Sequence, residues 1–187
     1  MISSFELKVT NICAKFNTNC KLDLKEILNN DQFIIFKSKK YLPNKFSGLI
    51  AKLYDSNTTL LIFQSGAIII VGGKCMSDLE NTAYDFVFLL NMLSLAQASV
   101  KDFKITNICA STDIKSRIDL TNLYANRIRK CSFEPEIFIH MKYKVNGKIL
   151  TITHKGKIFG TGFKNFDEMN QTFKIAYKEI EPYLIKE

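Results

Sequence analysis

Nothing in the 187 residues comes near the roughly 18–20 consecutive apolar positions that a membrane span requires. The apolar runs Leu60-Leu61-Ile62-Phe63 and Ala67 to Val71 are strand-sized. The opening residues, Met1-Ile2-Ser3-Ser4-Phe5-Glu6, lack a basic leader and an apolar core, so an intracellular and reduced protein is expected rather than a secreted one. Cys13, Cys20, Cys75, Cys109 and Cys131 are an odd set without a CxxC spacing, and His140 and His154 are the only histidines. These shortages argue against a disulfide scaffold, a zinc finger and a catalytic dyad. Gly72-Gly73-Lys74 lacks the frame of a phosphate-binding P-loop, and the carboxylates are scattered. No catalytic residue, metal or cofactor is expected, and the chain does not read as an enzyme. Arginine is also scarce, with only Arg117, Arg127 and Arg129. Bidentate reading of guanine edges prefers arginine, so little of it is expected here.

Lysine is what the chain has instead. Lys and Arg total 26 against 18 Asp and Glu, for a net charge of +8 and an isoelectric point near 9.2. Residues 1–93 hold 10 basic and 8 acidic groups, whereas 94–187 hold 16 and 10. A basic balance favours acidic partners, nucleic acid first, and lysine acts on phosphate as a point charge. A merely solvated basic surface is the plain alternative.

The strongest pattern is internal repetition. Lys8-Val9-Thr10-Asn11-Ile12-Cys13-Ala14 returns 96 residues later as Lys104-Ile105-Thr106-Asn107-Ile108-Cys109-Ala110, and Lys21-Leu22-Asp23-Leu24 returns as Arg117-Ile118-Asp119-Leu120. At an offset of 92, Phe46 meets Phe138 and Lys52 meets Lys144; at 90, Ser65-Gly66-Ala67-Ile68 meets Lys155-Gly156-Lys157-Ile158. The shrinking offset means loop residues missing from the second copy with element order kept. Two copies are too few for a solenoid. They read as one pseudo-twofold domain with repeats 1–93 and 94–187, joined across Leu93 to Lys101. Such a dyad suits a nearly twofold ligand, and duplex DNA is one.

Within a copy, the pattern predicts a strand over Lys8 to Phe16, a short helix over Asp23 to Asn29 capped by Asp23, and a strand over Phe46 to Tyr54. A hairpin over Thr58 to Phe63 and Ala67 to Val71 follows, then a long helix capped by Ser77 or Asp78 and running to about Leu93. The second copy repeats the order. Its last helix covers about Asp167 to Tyr183, with Pro182 stopping or bending it. Period-2 geometry puts Asn11, Cys13 and Lys15 on one strand face, and likewise Thr59, Leu61 and Phe63, and Ile69 and Val71. Both faces are apolar, yet two long helices can cover only one. The uncovered face is expected to bind something, the alternative being a core packed on both sides.

The stretch from Lys45-Phe46 to Lys74, centred on Thr58-Thr59-Leu60-Leu61-Ile62-Phe63-Gln64-Ser65-Gly66, resembles the stirrup and hairpin of the TATA-box-binding protein family. So does Phe133-Glu134-Pro135-Glu136-Ile137-Phe138 in the second copy, as do the paired Thr-Asn-Ile-Cys-Ala strands. The resemblance covers about residues 7–184. It implies an α+β saddle, a curved ten-stranded antiparallel sheet with helices on its convex face. The underside would grip AT-rich promoter DNA in the minor groove and bend it; a bend of about 80° is this family's known behaviour. By that resemblance the DNA-facing residues are Asn11, Cys13, Lys15, Phe46, Lys52, Thr59, Leu61, Phe63, Ile69 and Val71 in the first copy. In the second they are Asn107, Cys109, Phe138, Lys144, Thr151, Thr153, Phe159 and Thr161. Asn11 and Asn107 would engage the A·T acceptors near the dyad, and rim lysines (Lys45, Lys52, Lys74, Lys144, Lys164) would hold phosphates. Phe46 and Phe63 match the family's kinking pair, whereas Phe138 is partnered by Thr153, which implies a weaker or asymmetric second kink. Glu134, Pro135, Glu136 and Ile137 match the patch that docks factor IIB. On the convex side the family's basic row is replaced by Tyr84, Asp85, Phe88 and Met92, on a helix so apolar that either burial against a further protein partner or another copy of the chain, or deeper internal burial, is expected.

Two functions follow as expectations. The first is a divergent transcription initiation factor that bends AT-rich promoter DNA and recruits a factor IIB-like protein. The alternative is an interaction scaffold that keeps the fold with weak or no sequence-specific DNA binding. The divergence and the missing N-terminal extension suggest a parasite or a large DNA virus, with a nuclear location or, for a virus, a cytoplasmic factory.

Overall fold

Strict alternation makes the first strand. In Leu7–Asn17 (β1), Ile12, Ala14 and Phe16 are buried, while Asn11, Cys13 and Lys15 lie on the other side. The computed structural model describes residues 6–54 and 57–185. These form two compact units, one of residues 11–106 and one of residues 6–10 with 107–185.

In the first unit a short helix, Leu24–Asn29 (α1), starts where the Asp23 carboxylate accepts from the amides of Lys25 and Glu26 at 2.9 and 3.1 Å. Four strands follow: Phe36–Leu42 (β2), Phe46–Leu53 (β3), Thr59–Ile62 (β4) and Ala67–Gly73 (β5). They pair antiparallel in the order β2-β3-β4-β5-β1. Helix Met76–Met92 (α2) buries Leu79, Ala83, Phe86 and Leu90. These pack with the inward side chains Leu49, Ala51, Leu60, Ile62, Ile68 and Ile70, and Phe86 joins Phe33 and Phe36 in an aromatic cluster with centroids 5.5–6.2 Å apart.

The second unit repeats the plan with Lys101–Asp113 (β6), Leu120–Arg127 (α3), Cys131–Glu134 (β7), Phe138–Val145 (β8), Lys148–Ile152 (β9) and Lys157–Phe163 (β10). Its order, β6-β10-β9-β8-β7, is that of the first unit read through the repeat. Helix Phe166–Ile180 (α4) covers Met141, Tyr143, Leu150, Ile152 and Ile158 with Met169, Phe173, Ala176 and Ile180. It ends in the 3-10 turn Glu181–Tyr183, where Pro182 sits.

Three expectations change. The α2 cap is Cys75, with neither Ser77 nor Asp78 in that place, and its side chain makes no capping bond; the helix starts early enough for Leu79 to pack on Gly73. The local pattern did not place strand β2 or the short β7, although the resemblance implied ten strands in all. Both lie at an edge of their array, and Lys37, Lys39 and Lys40 make β2 read as a polar loop.

Candidate nucleic-acid interface

Each unit has one strand face under its helices and one without them. In the first unit the open face carries Asn11, Cys13 and Lys15 of β1, Phe46, Gly48, Ile50 and Lys52 of β3, Thr59 and Leu61 of β4, Phe63 just beyond it, and Ile69 and Val71 of β5. Strand register arranges them in rows: Ile50, Leu61, Ile69 and Lys15 form one, and Lys52, Thr59 and Val71 the next. The apolar members are half-buried against one another, and Lys15 and Lys52 are exposed.

The second unit carries the same rows with different chemistry. Lys142, Thr151, Phe159 and Ser111 stand where the first has Ile50, Leu61, Ile69 and Lys15, and Lys144 pairs with Ile149 in the next row. This face is therefore more polar, with Phe159 and Phe138 each 44% exposed.

The two asparagines sit in identical cradles. The Gly72 amide donates to Asn11 Oδ1 at 3.0 Å, and the Gly162 amide donates to Asn107 Oδ1 at 2.8 Å. Both glycines have positive φ, +95° and +88°, which turns their N–H groups out of the ladder. With the amide oxygen fixed, each side chain must present its NH2 group elsewhere. Among the described residues the NH2 groups meet only thiols, Cys13 Sγ at 3.4 Å and Cys109 Sγ at 3.2 Å, which are weak acceptors. Each cradle therefore holds a donor ready for a stronger acceptor. In the second unit Thr161 Oγ1 lies 3.1 Å from Cys109 Sγ and adds a hydroxyl.

At the end of the first face the rings of Phe46 and Phe63 meet edge-on, with centroids 5.6 Å apart and planes at 67°. A Cβ on residue 48 would lie 2.8 Å from Phe46 and 3.0 Å from Phe63, so glycine is what admits the pair. The corresponding end of the second face differs. Thr153 occupies the same turn as Phe63, with its amide donating to Lys157 O as Phe63 donates to Ala67 O. Its hydroxyl accepts from the Lys157 amide at 3.0 Å and the residue is nearly buried, so it offers little to a ligand on this face. Phe138 instead packs edge-on against His140, at 5.2 Å and 82°.

The two stirrups are matching turns, closed by Lys45 N–H to Leu42 O and by Ile137 N–H to Glu134 O, both at 2.9 Å. Glu134 and Glu136 are exposed, and Ile137 is 82% exposed. On α2, Tyr84, Phe88 and Met92 form an exposed stripe one turn apart. Internal burial does not account for them, which removes one of the two expectations for that helix.

The repeat and the fold match known proteins. A family model described as transcription factor TFIID, or TATA-binding protein, matches residues 6–93 and 102–183. The chain belongs to the TATA-binding protein family. It is 35% identical over 182 residues to the TATA-box-binding protein of Tetrahymena thermophila, covering 96% of this chain and 72% of that protein. With the TATA-box-binding protein of Schizosaccharomyces pombe it shares 32% over 184 residues, 97% of this chain and 77% of the other. The solved Methanococcus jannaschii TBP superposes with a TM-score of 0.79 at 24% identity, covering 95% of this chain and 99% of that one. The α+β TATA-binding fold, with its ten strands, is therefore this chain's fold, and the chain is a TATA-binding-protein-like transcription factor from a family of transcription factors, not of enzymes.

Residues singled out from the sequence fall on the open faces, the stirrup and the α2 stripe, apart from nearly buried Thr153 and from Lys74 and Lys164, which lie in the bends before α2 and α4. Reading by residue type missed Gly48, Ile50, His140 and Lys142. The signal lay in the 92-residue offset, which carries Gly48 onto His140 and Ile50 onto Lys142.

Proposed function

We propose that this chain acts at promoters by laying its open strand faces into the minor groove of AT-rich duplex DNA and bending it, and by recruiting a factor IIB-like protein through Glu134, Glu136 and Ile137. The single observation that carries the reading is the pair of asparagine cradles. Each presents an NH2 donor from a largely apolar surface, and the minor-groove edge of an A·T pair offers only acceptors, adenine N3 and thymine O2. A guanine N2 amino group would leave that donor unpaired and block close approach, which gives the AT preference. The apolar rows suit sugars and base edges, which offer little to hydrogen-bond. The Phe46–Phe63 pair is shaped to wedge a base step apart. Exposed Lys15, Lys52, Lys144 and Lys45 would neutralise phosphates. The eukaryotic relatives support a nuclear place of action. The exposed stripe Tyr84, Phe88 and Met92 supports docking of a further protein on α2.

The test is fluorescence anisotropy with end-to-end energy transfer on AT-rich and GC-rich duplexes at low and high salt, for the native chain and Phe46→Ala/Phe63→Ala. AT-preferring binding with a bend that the double substitution removes is expected. Sequence-blind, unbent binding that the substitutions leave unchanged would overturn the reading in favour of a scaffold. For the stirrup, Glu134→Arg/Glu136→Arg should abolish capture of a factor IIB-type protein by the DNA-bound chain while leaving the bend intact.

A further inference from the structure

The two units fill the space at the end of their open faces in opposite ways. In the first, two phenyl rings fill it, one from β3 and one from the turn after β4, and residue 48 between them has no side chain. In the second, the turn residue is Thr153, which contributes no ring and whose hydroxyl is taken by the Lys157 amide. The ring comes instead from the position equivalent to Gly48: His140 stands on the same strand face as Phe138, half-buried, edge-on to it. The centroid distances, 5.6 Å in the first unit and 5.2 Å in the second, describe the same kind of aromatic pair built from different positions. The exchange is coupled. A side chain at 48 collides with Phe46 and Phe63, so a histidine there demands a small residue at the turn, and the threonine at 153 supplies it.

We propose that His140 replaces the missing fourth phenylalanine, so that Phe138 and His140 together form the second wedge of the DNA contact. This rests on the DNA reading above and alters its expected outcome: the second end opens a base step although Thr153 itself cannot. Imidazole is planar and aromatic enough to lie against an exposed base, and unlike phenyl it carries an N–H that can donate to adenine N3 or thymine O2. Exposed Lys142, in the row where the first unit has Ile50, sets a cation beside the same end. One wedge is purely apolar and the other is polar and cationic. The two ends of an asymmetric promoter element are therefore read differently, which makes His140 and Lys142 determinants of binding direction.

The experiment uses the full chain and AT-rich duplexes carrying 2-aminopurine at one end or the other of the bound element, its fluorescence reporting local unstacking. Phe46→Ala/Phe63→Ala identifies the first end. His140→Ala and His140→Gly should remove the signal at the opposite end and weaken binding at least about fivefold, the lower end of what one base–aromatic stack contributes. Thr153→Phe alone should also lose that signal, because its ring meets His140. His140→Gly/Thr153→Phe, which rebuilds the arrangement of the first unit, should restore it. Thermal melts of each variant separate a lost wedge from a lost fold, and the restoring double variant guards against a generally destabilising change at 140. A second-end signal unchanged in both His140 variants, with the first end still dependent on Phe46 and Phe63, would overturn this inference and leave the DNA reading standing. A native chain that unstacks neither end would overturn both.

Discussion

Gly48 shows how much a single missing side chain can decide. Its role is space: the two phenyl rings close over it, and even a methyl group must displace one of them. Gly48→Ala is therefore expected to leave the melting temperature nearly unchanged, because the rings face solvent on one side, while reducing DNA bending at that end in an energy-transfer assay. The two cradle glycines have a different role and unequal surroundings. A Cβ on Gly72 would sit 2.2 Å from Asn57 O, whereas no atom of the described residues lies within 4 Å of one on Gly162. Gly162→Ala should cost about 1 kcal/mol, the strain of a positive φ alone, and Gly72→Ala should cost clearly more, both read from urea midpoints. The core shows the same kind of exchange as the wedge. Buried Ile70 with Gly73 in the first unit becomes Gly160 with buried Phe163 in the second, where a Cβ on residue 160 would come within 2.8 Å of the Phe163 ring. Volume is conserved across the pair while its position moves, which is the substitution pattern that packed interiors tolerate best.

At the scale of elements, helix starts separate what sequence signals from what packing imposes. Asp23 caps α1 through two amides, and Asp23→Ala should cost about 1 kcal/mol in thermal or chemical denaturation. Helix α2 starts at Cys75 without a side-chain cap because the packing of Leu79 on Gly73 sets its first turn. Cys75→Ser supplies an acceptor there and should stabilise the protein by roughly 0.5–1 kcal/mol in the same measurement. The exposed α2 stripe should be nearly silent in stability: Tyr84→Lys, Phe88→Lys and Met92→Lys are each expected within about 0.5 kcal/mol of the native chain. The central strands were legible because alternation places apolar side chains on both faces. The edge strands β2 and β7 were not, because their pairing on one side only leaves polar side chains free to dominate the pattern.

The whole molecule responds to pH through three hydrogen-bonded carboxylates, a half-buried thiol and a buried tyrosine. Burial would raise the Glu179 carboxyl, but hydrogen bonds from Lys130 and Tyr143 outweigh it and hold the acid below its ordinary range. A backbone bond from Lys115 lowers Asp113, and one from Lys164 lowers Glu168. The unfolded chain takes up these protons first, so their stabilisation is present above about pH 4.5 and is lost as pH falls through the folded values. On the alkaline side, burial pushes the Cys131 thiol up to about 11 and also raises Tyr143. The native state then keeps protons that the unfolded chain releases, so stability declines as pH rises past roughly 9. Urea midpoints should form a plateau between those limits. At the same scale, a net charge of +8 makes DNA affinity salt-dependent, and removing one of the lysines proposed to hold phosphate, Lys52→Ala or Lys144→Ala, should lower the slope of log K against log salt by about 1.

The sequence by itself determined the duplication, the alternating strands and the positions of the asparagines, because each of these is a local period or a recurrence at fixed spacing. It also determined the acidic stirrup turn, whose proline and charges are legible without neighbours. Only the tertiary structure decided which end of each asparagine amide is held by the backbone, because that depends on an N–H 61 residues away at Gly72 or 55 away at Gly162. It likewise decided that Tyr84, Phe88 and Met92 face solvent, because an apolar helix does not announce which of its sides the strands will cover. The pairing of His140 with Phe138 belongs with these: a lost ring and a gained ring at different positions become one substitution only when the strands bring them into the same space.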